Sequence, residues 1–355
     1  MNSILQQRLV QQQLAEPSGG TPATVATRLV GLQAQEYSQA QWALGVRLPG
    51  CSAQDVAQAF ADGSVIRTWL FRGTLHLAAA ADVQWLLTLL APRILAGSRT
   101  RHQQLGLDEA TLHRCRAVLE QALSRRQLLT RSDVSLALQQ AGIPAQGPRL
   151  LHILQWASFN QVICQGPQQA KEPTFTLLDT WLPPTPLRSR EEALAELTQR
   201  YFTGHGPATV TDFIWWSGLT AGDARRGLAA AAPGLQRQVI AGQEYWSAGA
   251  GPACAPALPF TYLLPGFDEY FLGYKNRELF IDPRYVSQVV SANGIFKPII
   301  VVDGQVAGCW KHIYTAHAVW LETRFFTPEL AQGATGLAAA AHRYSQFVQR
   351  PTHLA

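Results

Sequence analysis

The sequence predicts a mainly helical α+β protein, on three observations. The order helix, short helix, turn, helix, β-hairpin occurs in residues 106–182 and again in residues 190–250, and residues 1–105 are compatible with it. This is the order of a winged helix, a helix-turn-helix motif followed by a β wing. A β-rich segment follows over residues 258–355. The 355 residues, 47% of them hydrophobic, exceed one compact core, so the sequence predicts four domains with these bounds.

Residues 1–105 combine helices with a pair of strands. Ser52 and Asp55 form a cap signal for a short helix, and Gly73 marks a turn between two strands. The predicted elements are two helices, a strand–turn–strand segment and a last helix, over residues 4–14, 22–35, 65–77 and from residue 79 onward. The apolar run over residues 77–97 contains charged side chains, so it predicts a buried helix rather than a membrane span.

Residues 106–182 and 190–250 repeat one plan with similar cap signals. Thr130 with Asp133, and Thr220 with Asp223, are placed to begin short helices, and Gly142 is placed to end one. The predicted helices and strands are, in order, 108–125, 130–141, 147–159, 162–165 and 174–178, then 191–203, 210–216, 220 onward, 235–240 and 243–247.

Two linkers and a terminal β-rich segment complete the organisation. Residues 182–186 and 249–256 are rich in proline or in glycine and proline, which is typical of linkers. In the last segment, strands over residues 297–302 and 306–311 flank an Asp303-Gly304 hairpin turn. A final helix is predicted over residues 335–349.

The charge balance favours a polyanionic partner. The net charge is +5, and only four residues are lysines, all of them after residue 170, so the excess is mainly arginine. Arginine suits bidentate contacts with phosphate groups. A basic enzyme without a polyanionic partner is the alternative that charge alone leaves open.

The sequence lacks the signature motifs of several functional classes. The five cysteines are widely spaced without a Cys-x-x-Cys pair, which predicts a reducing compartment and neither disulfides nor a zinc site. The N-terminus has no apolar core of signal-peptide length. P-loop, GxGxxG, HExxH and GxSxG motifs are absent, and His312 and His317 have a poor spacing for shared metal ligation. We therefore expect a cytoplasmic protein with no cofactor and no metal.

Arginines near two of the repeats are candidates for nucleic-acid contacts. Arg225 and Arg226 lie on the predicted recognition helix of residues 190–250, and a solvated helix face is the alternative. Arg99 and Arg101, with His102, precede residues 106–182 and either follow a nucleic-acid backbone or belong to a charged loop between domains.

A third candidate surface follows the strand-like run in the first domain. Arg72, Thr74 and His76 have a spacing of two, so on one strand they face one side. These side chains either line a groove or form the solvent-exposed face of an edge strand. Trp215 and Trp216 lie within an apolar helix, which favours core packing over base stacking.

Two carboxylates, Asp268 and Glu269, are adjacent after a turn. They are conceivable as a general acid–base pair, but capping or orienting the turn is the favoured interpretation. The pair Gln33 and Gln35 follows an apolar run near the end of a predicted helix. Residues two apart do not share a helix face, so if both amides reach one ligand the backbone there ends a helix or turns.

Four segments accompany the tandem winged helices: GLQAQ (31–35), RGTLH (72–76), LLPGFDEY (263–270) and NGIFKPIIVVDG (293–304). Together these features resemble those of the AlkZ-like winged-helix DNA glycosylases. The resemblance covers nearly the whole chain. It implies three winged-helix units and a β-rich C-terminal part that together form a C-shaped basic channel for double-stranded DNA. It also implies a monomer associated with the bacterial nucleoid.

The resemblance further implies excision of N7-alkylated purines, in some members from interstrand crosslinks. The catalytic motif of the family is Gln-x-Gln, with Gln-x-Asp in a related branch, and Gln33 and Gln35 place this chain in the branch that includes the crosslink-unhooking enzymes. Two other interpretations remain open. One is a non-enzymatic winged-helix DNA-binding protein or transcription regulator, and the other is a hydrolase that uses Asp268 and Glu269.

Overall fold

The structure is a computed structural model that describes residues 2–182, 185–186, 188–249 and 260–355. The chain divides into two compact units: an N/C unit of Met1–Ala57 with Leu194–Ala355, and a middle unit of Gln58–Ala193. Pro183 and Pro184 of the first predicted linker, and residues 250–256 of the second, lie outside the described residues. No helix among the described residues is both long and apolar enough to cross a membrane.

The N-terminal elements correct one predicted helix. A capping box between Thr21 and Thr24 begins the second helix, which ends at Leu29 and not at residue 35, because Val30 takes a positive φ of 66° and the chain then extends. The Ser52–Asp55 cap is confirmed. The elements are α1 (Asn2–Gln11), α2 (Pro22–Leu29), β1 (Leu32–Gln33), α3 (Tyr37–Gly45) and α4 (Ala53–Ala61).

The middle unit contains a mixed arrangement of helices and an antiparallel sheet. Its elements are β2 (Val65–Trp69), β3 (Leu75–Ala79), α5 (Ala80–Gln104), α6 (Glu109–Arg125), β4 (Leu129–Thr130), α7 (Arg131–Gln140), α8 (Gly147–Phe159), β5 (Ile163–Gln169), β6 (Glu172–Leu177) and α9 (Leu178–Trp181). The strands of this unit are ordered β3-β2-β5-β6-β4. Asp108 caps α6, and the predicted Thr130–Asp133 box begins α7. The element order predicted for residues 106–182 is therefore present.

The second repeat has the same order of elements. They are α10 (Arg190–His205), α11 (Val210–Ser217), α12 (Ala221–Ala231), β7 (Gln236–Ile240) and β8 (Gln243–Ser247). Gly218 ends α11 in the left-handed conformation with a φ of 70°, and Thr220 caps α12 by accepting from the backbone of Asp223. The hairpin pairs Gln236 with Ser247 and Ile240 with Gln243, which confirms the predicted wing strands.

The C-terminal segment is richer in strands than predicted. Its elements are β9 (Thr261–Leu264), α13 (Glu269–Leu272), α14 (Val286–Val289), β10 (Ile299–Val302), β11 (Gln305–Tyr314), β12 (Val319–Phe325), α15 (Pro328–Gly333), α16 (Leu337–Val348) and β13 (Thr352–Leu354). The sheet order is β13-β12-β11-β10-β9. Asp303 and Gly304 form the predicted turn, with φ angles of 52° and 87°.

The two ends of the chain share one core in the N/C unit. The Trp42 ring packs edge-on against Tyr344 at 5.0 Å and also contacts Phe347. The indole N–H of Trp42 donates to the carbonyl of Leu263 at 2.7 Å, and that of Trp310 donates to Leu264 at 2.8 Å. Helix α3, which follows the glutamine pair, is thereby held against the C-terminal sheet and helix α16.

Candidate active site

The glutamine pair lies on a short non-helical connector between α2 and α3, in which Gln33 ends strand β1 and Gln35 lies at a bend. Leu32 and Ala34 are 1% and 0% exposed, whereas Gln33 is 8% exposed and Gln35 belongs to the exposed residues. Residues i and i+2 do not share one face of a helix. The end of the helix at Leu29 therefore removes the geometric obstacle to placing both amides on one side of the backbone.

A buried carboxylate holds the backbone of this connector. The N–H of Gln33 donates to Glu269 Oε1 at 3.2 Å. The other oxygen, Oε2, accepts from the indole N–H of Trp216 at 2.8 Å and lies 3.2 Å from His205 Nε2. Glu269 is only 1% exposed. It therefore links the connector to helices α10 and α11 of the second repeat.

The neighbouring carboxylate has different partners. Both oxygens of Asp268 accept from the Arg47 guanidinium at 2.8 Å, and Oδ1 also accepts from the backbone N–H of Tyr270 at 2.9 Å. The predicted role of Asp268 as a turn cap is confirmed. Arg47 donates in addition to the Ala43 carbonyl and to Gln12, so its charge is held by a full set of acceptors.

Aromatic and polar side chains fill the space around these two acids. The Tyr201 ring stacks on His205 at 4.7 Å, and its hydroxyl donates to the carbonyl of Gly273. The Tyr274 hydroxyl donates to the carbonyl of His205, and Arg8 lies 3.8 Å above the Tyr274 ring. Burial raises the pKa of Tyr201 and Tyr274 well above the ordinary value, so both phenols remain protonated donors at neutral pH.

Two segments of the resemblance, residues 31–35 and 263–270, meet in this site. Gln39, on the first turns of α3, accepts from the backbone N–H of Gly266 at 2.9 Å. Phe267, the next residue, has a positive φ of 60° and leads into the Asp268 cap. Residues 263–270 thus lie against the connector that bears Gln33, with Glu269 as the direct contact.

The candidates in the middle unit do not share one strand face, which corrects the sequence interpretation. Arg72 lies in the turn Phe71–Gly73 with a positive φ of 54°, and Thr74 closes that turn by donating to the Phe71 carbonyl at 3.1 Å. Only His76 is on a strand, β3, and it is buried with Nδ1 2.9 Å from the Thr74 carbonyl. Because its ring is buried, His76 is better placed to support the turn than to touch DNA.

The basic group before the second domain belongs to a helix and not to a loop. Arg99 and Arg101 are exposed on the last turns of α5, where Arg101 donates to Gln104. His102 is buried against His152, with ring centroids 5.4 Å apart. Burial, and next the neighbouring His152, lower the pKa of His102, so its imidazole is uncharged at neutral pH.

Helix α12 exposes the remaining two candidates. Arg225 and Arg226 are both exposed, and Arg226 forms a 2.6 Å ion pair with Asp223 one turn earlier. The prediction of core packing is confirmed for Trp216, which is fully buried. Trp215 is half-buried beneath the guanidinium of Arg277, 4.8 Å from its ring.

Sequence reasoning missed three side chains that contact the two buried acids of this site. Arg47, His205 and Trp216 had no motif around them that points to a site, and their roles arise from contacts with acids more than 50 residues away. Among the described residues, no group of three or more His, Cys, Asp or Glu side chains is placed to hold a metal ion. His312, singled out in the sequence, instead lies 2.9 Å from the Tyr344 hydroxyl.

Comparison with known proteins places these features in context. The family model described as DNA glycosylase AlkZ-like matches residues 26–347. The interstrand DNA cross-link repair glycosylase of Streptomyces sahachiroi is 29% identical over 326 residues, which are 85% of this chain and 85% of that protein. The solved structure of the Streptomyces sahachiroi DNA glycosylase AlkZ aligns with a TM-score of 0.79 and 24% identity, over 100% of this chain and 99% of that one. The mixed α+β fold is therefore shared with AlkZ.

Proposed function

Because the chain belongs to the AlkZ-like DNA glycosylase family, it is a DNA glycosylase, and we propose that Gln33 and Gln35 are the residues that act on the glycosidic bond. The substrates we propose are N7-alkylated purines in double-stranded DNA. The observation that supports this most is the connector itself, where an exposed Gln35 follows a Gln33 whose backbone is anchored to a buried carboxylate. That arrangement presents two amides to a ligand on a held segment of backbone.

The chemistry of an N7-alkylated purine suits uncharged amides. The alkylated base is already cationic, so it leaves readily and needs little acid catalysis. What remains is to place a water at the anomeric carbon and to stabilise an oxocarbenium-like sugar. A glutamine carbonyl orients such a water and turns its dipole towards the developing positive charge, while the NH2 group holds the second amide or donates to substrate. Neither amide is a strong base, so unmodified purines should be poor substrates.

We further propose that the enzyme hydrolyses the bond without forming a covalent Schiff base. That alternative needs an amine nucleophile. The first 170 residues, which include the Gln33 motif, contain no lysine. The expected product is an intact abasic site, which breaks only under later alkaline treatment.

Interstrand crosslinks belong to the same substrate class. The Streptomyces sahachiroi relative bears the name of a crosslink repair glycosylase, and the Gln-x-Gln form of the motif is the one we associate with unhooking. A crosslinked or bulky base is hard to pull fully into a closed pocket, which is how many glycosylases work. We therefore propose that this enzyme excises the base while it stays near the duplex.

Binding of the duplex is assigned to exposed basic residues of both units. In the middle unit these are Arg99 and Arg101, joined by the partly buried Arg72 and Thr74 with His76 supporting the turn behind Arg72, and in the N/C unit they are Arg225 and Arg226. We propose that residues 1–105, 106–182 and 190–250 are winged-helix units and that residues 258–355 form the last domain. The recurring order of helices and hairpin supports this division. We propose a monomer that acts at the nucleoid.

Base excision tests the proposal directly. One labelled duplex carries a single N7-methylguanine, and a second carries a mustard N7–N7 crosslink. Each is incubated with wild type, Gln33→Ala and Gln35→Ala, treated with alkali and resolved by strand length. We expect alkali-dependent cleavage by wild type that is lost in both variants, and conversion of the crosslinked species to single strands.

Two outcomes contradict parts of the proposal. Full activity in both glutamine variants would show that other residues perform the chemistry. Release of N7-methylguanine without unhooking would limit the enzyme to monoadducts. Undamaged duplex of the same sequence is the control for substrate choice, and circular dichroism establishes that each variant is folded.

A further inference from the structure

We infer that Glu269 is a positioning residue of the glycosylase, whose carboxylate holds the Gln33 backbone and thereby sets where the Gln33 and Gln35 amides lie. The inference rests on the proposed function, because it assigns Glu269 a role through those two glutamines. It concerns a residue that touches neither water nor DNA in the proposed mechanism.

The hydrogen-bond pattern around Glu269 is divided between its two oxygens. Oε1 accepts from the Gln33 N–H at 3.2 Å, and Oε2 accepts from the Trp216 indole N–H at 2.8 Å. A backbone N–H and an indole N–H are donors only, so both oxygens of Glu269 must act as acceptors. An ionised carboxylate meets that requirement on both sides, whereas a neutral amide has a single acceptor oxygen.

Oxygen Oε2 is tied to a rigid part of the N/C unit. Trp216 and His205 are both fully buried, on α11 and α10 respectively. His205 Nδ1 has no hydrogen-bond partner among the described residues, so in this cluster the imidazole contacts Glu269 through Nε2. Tyr201 stacks on the same imidazole at 4.7 Å.

The other oxygen reaches a segment that has left regular helix. Helix α2 ends at Leu29, and α3 begins at Tyr37 without a side-chain hydrogen bond at its cap. Between them Gln33 ends a two-residue strand, and Gln35 lies at a bend. A displacement of about 1 Å in catalytic groups costs on the order of a hundredfold in rate, so an anchor on this segment affects the chemical step.

The replacement Glu269→Gln keeps the size of the side chain and places a donor where an acceptor is needed. Whichever way the amide turns, its NH2 faces either the Gln33 N–H or the Trp216 N–H. We expect the single-turnover rate of N7-methylguanine release to fall roughly 10- to 100-fold. We expect the Kd for the same duplex to change by less than about 2-fold, since Glu269 is buried away from DNA.

A matched variant separates positioning from general loosening of the core. Tyr201→Phe removes a buried hydrogen bond to the Gly273 carbonyl in the same aromatic cluster and leaves Glu269 and its contact with the Gln33 N–H in place. It should retain the rate within about 3-fold even if thermal stability falls.

The double variant Glu269→Gln, Gln35→Ala shows whether Glu269 acts through the motif. If it does, Glu269→Gln adds little to the loss already caused by Gln35→Ala, because effects on one catalytic unit are not additive. Losses that multiply would overturn the inference, as would a folded Glu269→Gln enzyme with the wild-type rate or a Tyr201→Phe enzyme that is equally slow.

Failure of the proposed function has a different signature. If Gln35→Ala alone leaves excision unchanged, the glutamine assignment is wrong whatever Glu269 does. If Gln35→Ala abolishes excision and Glu269→Gln does not reduce it, the proposed function stands and the positioning role is wrong.

Discussion

Arg47 and Asp268, 221 residues apart in sequence, form a two-pronged ion pair with both N–O distances at 2.8 Å and both side chains inaccessible to solvent. Arg47 follows α3 and Asp268 begins α13, so the pair joins the two segments that bracket the glutamine site. Both charges are buried, so each depends on the other to offset the cost of leaving water.

The first prediction concerns that dependence. Asp268→Ala leaves the Arg47 guanidinium buried without its carboxylate, and we expect a loss of about 3–5 kcal/mol in the free energy of unfolding. Denaturant unfolding followed by circular dichroism measures it. Glu322→Ala, which breaks the exposed pair with Lys311, is the control and should cost no more than about 1 kcal/mol. Equal losses in the two variants would contradict the importance of burial.

The second prediction separates strain from binding at Arg72. This residue has a positive φ of 54°, a conformation that costs a residue with a Cβ roughly 1–2 kcal/mol relative to glycine. Arg72→Gly and Arg72→Ala both remove the side chain, but only the glycine relieves the strain. We expect the glycine variant to be the more stable by about 1 kcal/mol and both to lose DNA affinity to the same extent. Melting temperature and fluorescence anisotropy with a labelled duplex report the two quantities.

The third prediction uses the cap of α7. The backbone N–H of Thr130 donates to Asp133 and, with the Thr130 hydroxyl, lowers the pKa of Asp133 below its ordinary value of 3.8. A carboxyl whose pKa is lower in the folded state stabilises that state above pH 3.8, and the contribution is lost as pH falls through the lowered pKa. Asp133→Ala should therefore cost about 0.5–2 kcal/mol at neutral pH.

Measurement of that difference against pH is the test. The free energies of unfolding of wild type and Asp133→Ala should converge as the pH is taken below 3.8. Thr130→Ala serves as a matched variant, because it removes the other half of the same box. A gap that stays constant down to acidic pH would show that the carboxylate charge has no part in the cap.

The fourth prediction concerns DNA binding by α12. Arg225 is exposed, while Arg226 is engaged by Asp223 at 2.6 Å, so Arg225→Ala should weaken binding more than Arg226→Ala. For a phosphate contact, the slope of log K against log salt should shrink by about 0.9, with little dependence on sequence or damage. Anisotropy titrations over a range of salt concentrations measure the slope. Arg284→Ala, in an exposed pair with Asp282, is the control, and an unchanged slope in Arg225→Ala would exclude the contact.

Much of the local structure follows from the sequence because its signals are short-range. The cap pairs Ser52–Asp55, Thr130–Asp133 and Thr220–Asp223 form the predicted hydrogen bonds, since each pair is only three residues apart. Helix α8 and the strands of the second wing have nearly the predicted bounds for the same reason. Hydrophobic periodicity, cap residues and turn residues reflect interactions between residues that are close together in the sequence.

The incorrect secondary-structure predictions fall where local sequence preference does not determine the backbone conformation. The residue types at positions 30–35 are compatible with a helix, yet Val30 has a positive φ, Gln33 ends a short strand and Gln35 lies at a bend. Arg72 was assigned to a strand face, but the turn preceding β3 includes it. Strands β12 and β13 were not predicted, because their alternation of apolar and polar side chains is weak without the neighbouring strands that pair with them.

The sequence by itself determined the order of elements in the two repeats, the basic character of the chain and the resemblance to the AlkZ-like family that the family model confirms. The tertiary structure alone decided which distant groups meet: the Gln33 N–H with Glu269 across 236 residues, and Arg47 with Asp268 across 221. The physical reason is that a buried carboxylate requires hydrogen-bond donors, and tertiary packing decides which distant residues supply them. The sequence pattern specifies which side chains are apolar and which residues cap helices. Only the packing of the core specifies which charged side chain contacts which distant backbone group.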